Sequence, residues 1–115
     1  MLSCHVRGIA LVDTGASITL LDEGMANKIG VKRVGRRLGL VAADGHEVSG
    51  ELAIIDNLII DGEESPGAHV AILDFLNEIR ERLKTNGLSD LCIVGLLTLE
   101  ILGLVANTAM GKVEK

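Results

Sequence analysis

The chain has 115 residues and a mass of 12.1 kDa, which favours one domain over residues 1–115 and excludes a second folded domain. Apolar residues make up 48% of the sequence and the formal net charge is only −5, so the composition argues against disorder and predicts a packed core. Phe75 is the single aromatic residue. This lack of stacking rings, together with the acidic balance, argues against nucleic-acid binding.

The cysteine content and the apolar runs indicate the compartment. Cys4 and Cys92 match no metal-ligand spacing, and two cysteines make no secreted disulfide framework. The chain begins without a recognisable signal peptide, and its longest apolar stretch, residues 91–106, is shorter than a membrane helix and contains Glu100. We therefore expect a cytoplasmic protein with reduced thiols and no membrane attachment.

The first part of the chain predicts a strand, a tight turn, a second strand and a helix. Residues 2–12 are largely apolar and favour one bent strand or two short ones, and residues 18–21 resume the apolar run. Asp22 is a typical N-cap residue and Gly30 a typical helix stop. Met25, Ala26 and Ile29 have helical spacing, so a short helix is predicted between that cap and that stop.

Basic residues concentrate around the end of this helix. We interpret them as a solvated loop face; the alternative is a patch that meets an acidic partner. The residues are Lys28, Lys32, Arg33, Arg36 and Arg37.

Residues 38–61 predict a long antiparallel hairpin. Extended segments flank Asp44-Gly45, a dipeptide that suits a two-residue hairpin turn. Asp61-Gly62 predicts the next turn, and residues 69–73 a further strand. The small, polar tip of this hairpin is expected to project over a cleft.

The remaining segments predict two more helices and a closing strand. Residues 74–86 place apolar side chains on one helical face and charged side chains on the other, which is typical of an amphipathic helix. Residues 91–95 predict a buried strand that ends in glycine, and residues 96–102 a short apolar helix. Residues 104–113 predict a closing strand or hairpin.

The candidate chemistry lies in Asp13-Thr14-Gly15. This tripeptide follows the apolar run of residues 9–12, so it places a carboxylate in a turn at the end of a buried strand. Gly15 allows the backbone to turn sharply and to bring amide groups close to the carboxylate. Asp, Thr and Gly also occur in ordinary turns, so one alternative is a structural turn residue in a β-sandwich.

The surrounding sequence resembles the retropepsin-type aspartic proteases. Leu11-Val12-Asp13-Thr14-Gly15-Ala16-Ser17, then the hairpin at Asp44-Gly45, then Ile93-Val94-Gly95 before a helix follow one another as in that family. The resemblance extends from about Gly8 to Val113. It implies a mostly β fold: a closed acid-protease barrel with a flap hairpin, two or three short helices, and a psi-shaped loop that carries the aspartate.

Carried over by position, the resemblance implies a role for each residue of these motifs. Asp13 would be the catalytic carboxylate, Thr14 would interlock two active-site loops, and Gly15 would contact the substrate through its backbone. Ala16 and Ser17 would line the site. The flap would comprise Ala43, Asp44, Gly45 and His46, and the strand Ile93, Val94 and Gly95 would support the psi loop.

The chemistry of amide hydrolysis requires a second copy of the chain. One carboxylate must be ionised to take a proton from water, and another must be protonated to polarise the carbonyl oxygen. The sequence contains one Asp-Thr-Gly, so we expect a homodimer with both Asp13 side chains at a two-fold axis, a peptide or protein substrate, and no metal or cofactor. The alternative is a catalytically weak peptide-binding or dimerisation module with the same fold.

Several residues depart from the family or lack the setting of a site. Leu96 and Leu97 occupy positions where retroviral enzymes usually have polar residues, and residues 74–86 are an insertion. This helix is expected to pack on the core; alternatively it widens the dimer interface or covers part of the cleft. His5, His46 and His69 are scattered without ligand spacing, and Ser17 lacks a nucleophile motif.

Overall fold

The computed structural model describes residues 8–13, 16–41, 47–107 and 112–114. These residues form a mostly β structure with three helices, as predicted. The elements are β1 (Leu11–Val12), β2 (Thr19–Asp22), α1 (Glu23–Ile29), β3 (Lys32–Val41), β4 (Glu47–Ile60), β5 (Glu63–Leu73), α2 (Asn77–Thr85), β6 (Cys92–Val94), α3 (Leu96–Leu102), β7 (Val105–Asn107) and β8 (Lys112–Glu114).

Six of the strands form one mixed sheet in the order β1-β6-β2-β5-β4-β3, and β7 pairs with β8 separately. The β1–β6 and β2–β5 pairs are parallel, and the other pairs are antiparallel. Within the described residues this sheet is open, with the two-residue β1 at one edge and β3 at the other. The closed barrel is therefore not observed, because nothing in that part of the chain joins the two edge strands, and closure stays a prediction.

Helix α1 forms where the capping residues predict it. The Asp22 carboxylate accepts a hydrogen bond from the Gly24 amide at 3.1 Å, and Gly30 ends the helix in the left-handed region with φ 69°. Ala26 is buried against the sheet, and Met25 and Ile29 pack beside it. The sequence prediction for this element is confirmed.

The basic residues lie on α1 and β3, so their interpretation as a loop face is wrong: Lys28 belongs to the helix and the other four to the strand. β3 begins at Lys32 rather than near residue 38, and a bulge lies between Arg33 and Arg37. Gly35, inside the bulge, has φ 77°, which glycine adopts readily. Arg33 binds Glu23 of α1 at 2.7 Å and Glu51 of β4 at 3.2 Å, so ion pairs with two neighbouring elements hold the start of the strand.

The core lies between α1 and the centre of the sheet. Alternate residues of β4 and β5 point inwards, because side chains on a strand alternate between faces. Each fully buried aliphatic side chain contributes about 1.5–3 kcal/mol to stability. The buried residues of this cluster are Leu21, Ala26, Ala53, Ile55, Ala68, Val70 and Ile72.

Helix α2 is shorter than predicted, because it begins only at Asn77, after Asp74, Phe75 and Leu76. Phe75 and Leu83 are buried together with Ile93, so the expectation that this inserted segment packs on the core is met. The buried strand β6, the apolar helix α3 and the closing strands β7 and β8 are present as predicted. Of the predicted strand or strands over residues 2–12, residues 2–7 lie outside the described residues.

Cys92 on β6 provides a test of this packing. Burial raises the pKa of its thiol from 9.0 to about 11, and the thiolate is the form that reacts. With Cys4 replaced by Ser, we expect native Cys92 to react with iodoacetamide at pH 8 at least about tenfold more slowly than in guanidinium.

The same shift makes stability depend on pH. The burial of the neutral thiol contributes its full stabilisation of the folded state below pH 9.0. This contribution is lost as the pH rises towards 11, because the thiol of the unfolded chain ionises at lower pH than the buried thiol. A Cys92→Ala variant in the same background should lose less stability over that range. Equal rates of alkylation in the folded and unfolded chains would contradict the predicted burial of the Cys92 thiol.

Candidate active site

Asp13 lies directly after β1, at the point where the chain leaves the sheet. Its amide donates to the Val94 carbonyl at 2.9 Å, and its carbonyl accepts from the Ala16 amide at 3.0 Å. The first bond continues the parallel pairing of β1 with β6, and the second closes a turn. Asp13 is half-buried, and its backbone is fixed on both sides. Thr14 and Gly15 lie outside the described residues.

Strand β6 lies between β1 and β2, which are consecutive in the chain. Leu11 pairs with Ile93 in parallel, and Leu20 pairs with the same residue in antiparallel orientation. The segment that joins β1 to β2 therefore passes around the end of β6. This placement brings Asp13 and Ala16 beside the strand that contains Ile93 and Val94 and is followed by Gly95. The psi-shaped loop itself stays a prediction, because Thr14 and Gly15 lie outside the described residues.

Backbone hydrogen bonds attach this loop to the start of α3. The Leu96 amide donates to the Ala16 carbonyl at 2.8 Å, and the Leu97 amide donates to the Ser17 carbonyl at 3.1 Å. The first amides of a helix have no partner within the helix, so the loop supplies the acceptors they need. Ala16 and Ser17 are consequently held in place by their backbones.

Two threonines that the sequence analysis did not select complete this attachment. Thr19 Oγ1 accepts a hydrogen bond from the Gly95 amide at 3.0 Å and lies 2.6 Å from Thr98 Oγ1. Both threonines are buried, and a buried hydroxyl needs a partner. Their signal in the sequence is a single hydroxyl residue within each of two apolar runs, residues 18–21 and 96–102.

A glycine is required at position 95 because there is no room for a side chain, and not because of its backbone conformation. A Cβ at this position would lie 2.4 Å from both the carbonyl carbon and the oxygen of Ile18, and 2.8 Å from the Thr19 nitrogen. These atoms belong to the backbone and cannot rotate away. The glycine therefore lets the Asp13 loop approach the end of β6 closely.

A cleft of about 1250 Å³ opens beside the loop. Ala16 and Ser17 line one part of it, whereas Asp13 itself does not line it. Its apolar lining comes from the sheet, from the arms of the β3–β4 hairpin and from the segment of α2. These apolar residues are Ile18, Leu20, Leu40, Val48, Ile72, Leu73, Phe75, Leu76, Ile79 and Ile93.

The hairpin that borders the cleft is the one predicted as a flap. Its arms pair as far as Val41 with Glu47, and Leu40 pairs with Val48. The predicted tip, Ala43, Asp44, Gly45 and His46, lies outside the described residues, so the flap stays a prediction.

Charged groups at the cleft are partly paired. Arg33 lines the cleft, and its hydrogen bonds to Glu23 and then to Glu51 raise the pKa of its guanidinium, which stays charged.

Among the described residues no group of three or more His, Cys, Asp or Glu side chains is placed to hold a metal ion. His69 is exposed on β5, whereas His5 and His46 lie outside the described residues. In that part of the chain no helix is long and apolar enough to cross a membrane.

The close approach at Gly95 yields a prediction for folding. Gly95→Ala should destabilise the chain by about 1–3 kcal/mol or more, because the added methyl group overlaps fixed backbone atoms. Gly39→Ala is the matched control, since a Cβ there meets nothing within 4 Å. Urea unfolding followed by circular dichroism measures both variants. Equal stability of the two would contradict the close contact between Gly95 and the Ile18 backbone.

Comparison with known proteins identifies the family. The family described as gag-polyprotein putative aspartyl protease matches residues 5–83, which is more than half of the chain and includes Asp13 and the arms of the hairpin. No curated protein and no solved structure matches the chain significantly. With Asp13 hydrogen-bonded to β6 and the arms of a hairpin beside the cleft, the chain belongs to the retropepsin-like aspartic proteases of the gag-polyprotein type.

Proposed function

We propose that the protein is an aspartic endopeptidase in which two Asp13 carboxylates, one from each copy of a homodimer, activate a water molecule. The observation that carries this proposal is the attachment of the Asp13 loop to β6 and α3, through the Asp13, Leu96 and Leu97 amides. A carboxylate that takes part in proton transfer must be held in position, because small displacements cost large factors in rate. The family match supports the same reaction.

In the proposed mechanism the two carboxylates act in different protonation states. The ionised carboxylate takes a proton from the water as it attacks the peptide carbonyl, and the protonated carboxylate donates a hydrogen bond to the carbonyl oxygen. Two carboxylates in contact share one proton, since both cannot be ionised at that distance. The pair then returns a proton to the departing amine, which restores the starting state.

An apolar surface next to the Asp13 loop supports dimer formation. Leu96, Leu97 and Ile101 on α3 are 39%, 42% and 64% exposed, although they are large and aliphatic. Leu96 and Leu97 are the residues whose amides bind the loop, so this surface adjoins Asp13. Exposed apolar surface of this kind is typical of protein interfaces. A second copy that covered it would lie beside the first copy's aspartate.

The proposed substrate is a peptide in extended conformation. A volume of about 1250 Å³ exceeds the roughly 300–1,000 Å³ of sites for small ligands and suits a segment of a polymer. Extended peptides bind well beside strands, and the arms of β3 and β4 border the cleft. The apolar lining favours hydrophobic side chains near the cleaved bond.

Asp13→Asn tests the catalytic role. This nearly isosteric change removes the ionisable group, so we expect peptide cleavage to fall by about 100-fold or more while the dimer persists. Asp56→Asn is the matched control, because Asp56 is exposed on β4 and does not line the cleft. A fluorogenic peptide assay and sedimentation analysis give the two readouts. Retained cleavage by Asp13→Asn would refute the assignment, and binding of peptide without cleavage by the native chain would favour the non-catalytic alternative.

Mixing experiments test whether each active site needs two chains. When an equal amount of Asp13→Asn chain exchanges with native chain, random pairing should reduce the native activity to about half. Added Asp56→Asn chain should not reduce it. Activity that stayed constant in the presence of exchanged Asp13→Asn chain would show that one chain suffices.

A further inference from the structure

Helix α2 and the residues before it form one wall of the cleft. Phe75, Leu76, Ile79 and Arg82 all line it, as do Leu40 and Val48 on the arms of the hairpin. The sequence presents this segment as an insertion that packs on the core. In the structure it does so with Phe75 and Leu83, and it also faces the cleft.

This wall is attached firmly to the sheet. Asp22 at the end of β2 is buried, and its carboxylate accepts from the Phe75 amide at 3.2 Å and from the Arg80 guanidinium. Arg80 also donates to the Phe75 carbonyl at 3.0 Å and to Asp74 at 2.9 Å. The guanidinium carbon lies 6.0 Å from the centre of the Phe75 ring, within the range of a cation–π contact. The wall therefore has a defined position relative to the floor of the cleft.

The wall presents apolar side chains to the cleft rather than to the core. Leu76 is 63% exposed and Ile79 is 38% exposed, whereas Phe75 and Leu83 already fill the contact with the sheet. Neither exposed side chain is needed to bury the helix. Their exposure leaves an apolar strip that a ligand in the cleft would cover.

We infer that Leu76 and Ile79 determine substrate specificity, by contacting one large aliphatic or aromatic side chain of the bound peptide. This inference rests on the proposed function and assigns its preference for hydrophobic side chains to two named residues. The occupant is a peptide because the strip belongs to the same cleft as Ala16 and Ser17, which adjoin Asp13, and because the strand arms that carry Leu40 and Val48 line that cleft too.

The test compares cleavage of a peptide library, prepared from a digested cell lysate, by the native chain and by a Leu76→Ser/Ile79→Ser variant. The native chain is expected to prefer large apolar residues at one position near the cleaved bond. The variant should lose this preference, with kcat/KM for such peptides reduced by about tenfold through KM, and with peptides carrying Ala there little affected. Ile59→Ser is the matched control, because Ile59 is 55% exposed on β4 and does not line the cleft.

A second variant distinguishes a change in substrate preference from a general loss of folding. Ile79→Phe adds volume to the same wall, so it should shift the preference towards smaller side chains, a change that loss of folding cannot produce. An unchanged profile in both variants, with normal circular dichroism, would overturn the inference while the proposed function stands.

If the native chain cleaves no peptide, the proposed enzymatic function fails, and the inference is decided by binding. Library peptides retained on the immobilised native chain should be enriched in large apolar residues, and the Leu76→Ser/Ile79→Ser variant should lose this enrichment. Equal enrichment by both would overturn the inference.

Discussion

The position of β6 between β1 and β2 is the constraint on which the proposed site depends. Two strands that follow each other in sequence are separated in the sheet by a strand from near the other end of the chain, so the segment between them must cross the end of that strand. The crossing brings Gly95 against the Ile18 backbone at a distance that excludes any side chain. The amides of Gly95, Leu96 and Leu97 then find their acceptors on the crossing segment or on Thr19 beside it. Packing, backbone hydrogen bonding and the placement of Asp13 are thus consequences of one topological feature.

A second fixed point lies at the other end of β2. Asp22 caps α1 through the Gly24 amide and holds the α2 segment through Phe75 and Arg80. A buried carboxylate is stable only with several donors, and these three come from two segments of the chain, α1 and the α2 segment. The four-residue β2 therefore connects the Asp13 loop, which precedes it, to one wall of the cleft, which its last residue anchors. The distance between Asp13 and the α2 segment therefore depends on the length of β2, which is a single short strand.

The local elements could be predicted from sequence where the signal is local. Asp22 and Gly30 specify the ends of α1, and the Ile93-Val94-Gly95 pattern specifies a buried strand before a helix. The start of β3 was missed because it is an edge strand on which Lys32, Arg33 and Arg36 are all exposed and a bulge lies at Gly35, so apolar alternation is absent there. Thr19 and Thr98 were missed because their value comes from a contact between residues 79 positions apart. The contact between Arg80 and Asp22 was missed for the same reason, since no local sequence pattern indicates a contact between distant residues.

The structure assigns the chemistry and the selectivity of the proposed enzyme to different parts of the chain. The Asp13 loop is held by backbone amides and by two buried hydroxyl groups, so its geometry depends little on the side chains that face the cleft. The α2 wall is held from behind by Asp22, Arg80, Phe75 and Leu83, whereas Leu76 and Ile79 are exposed towards the cleft. Changes at these two positions are therefore expected to alter what the cleft accepts more than the position of the aspartate, which is held by other residues.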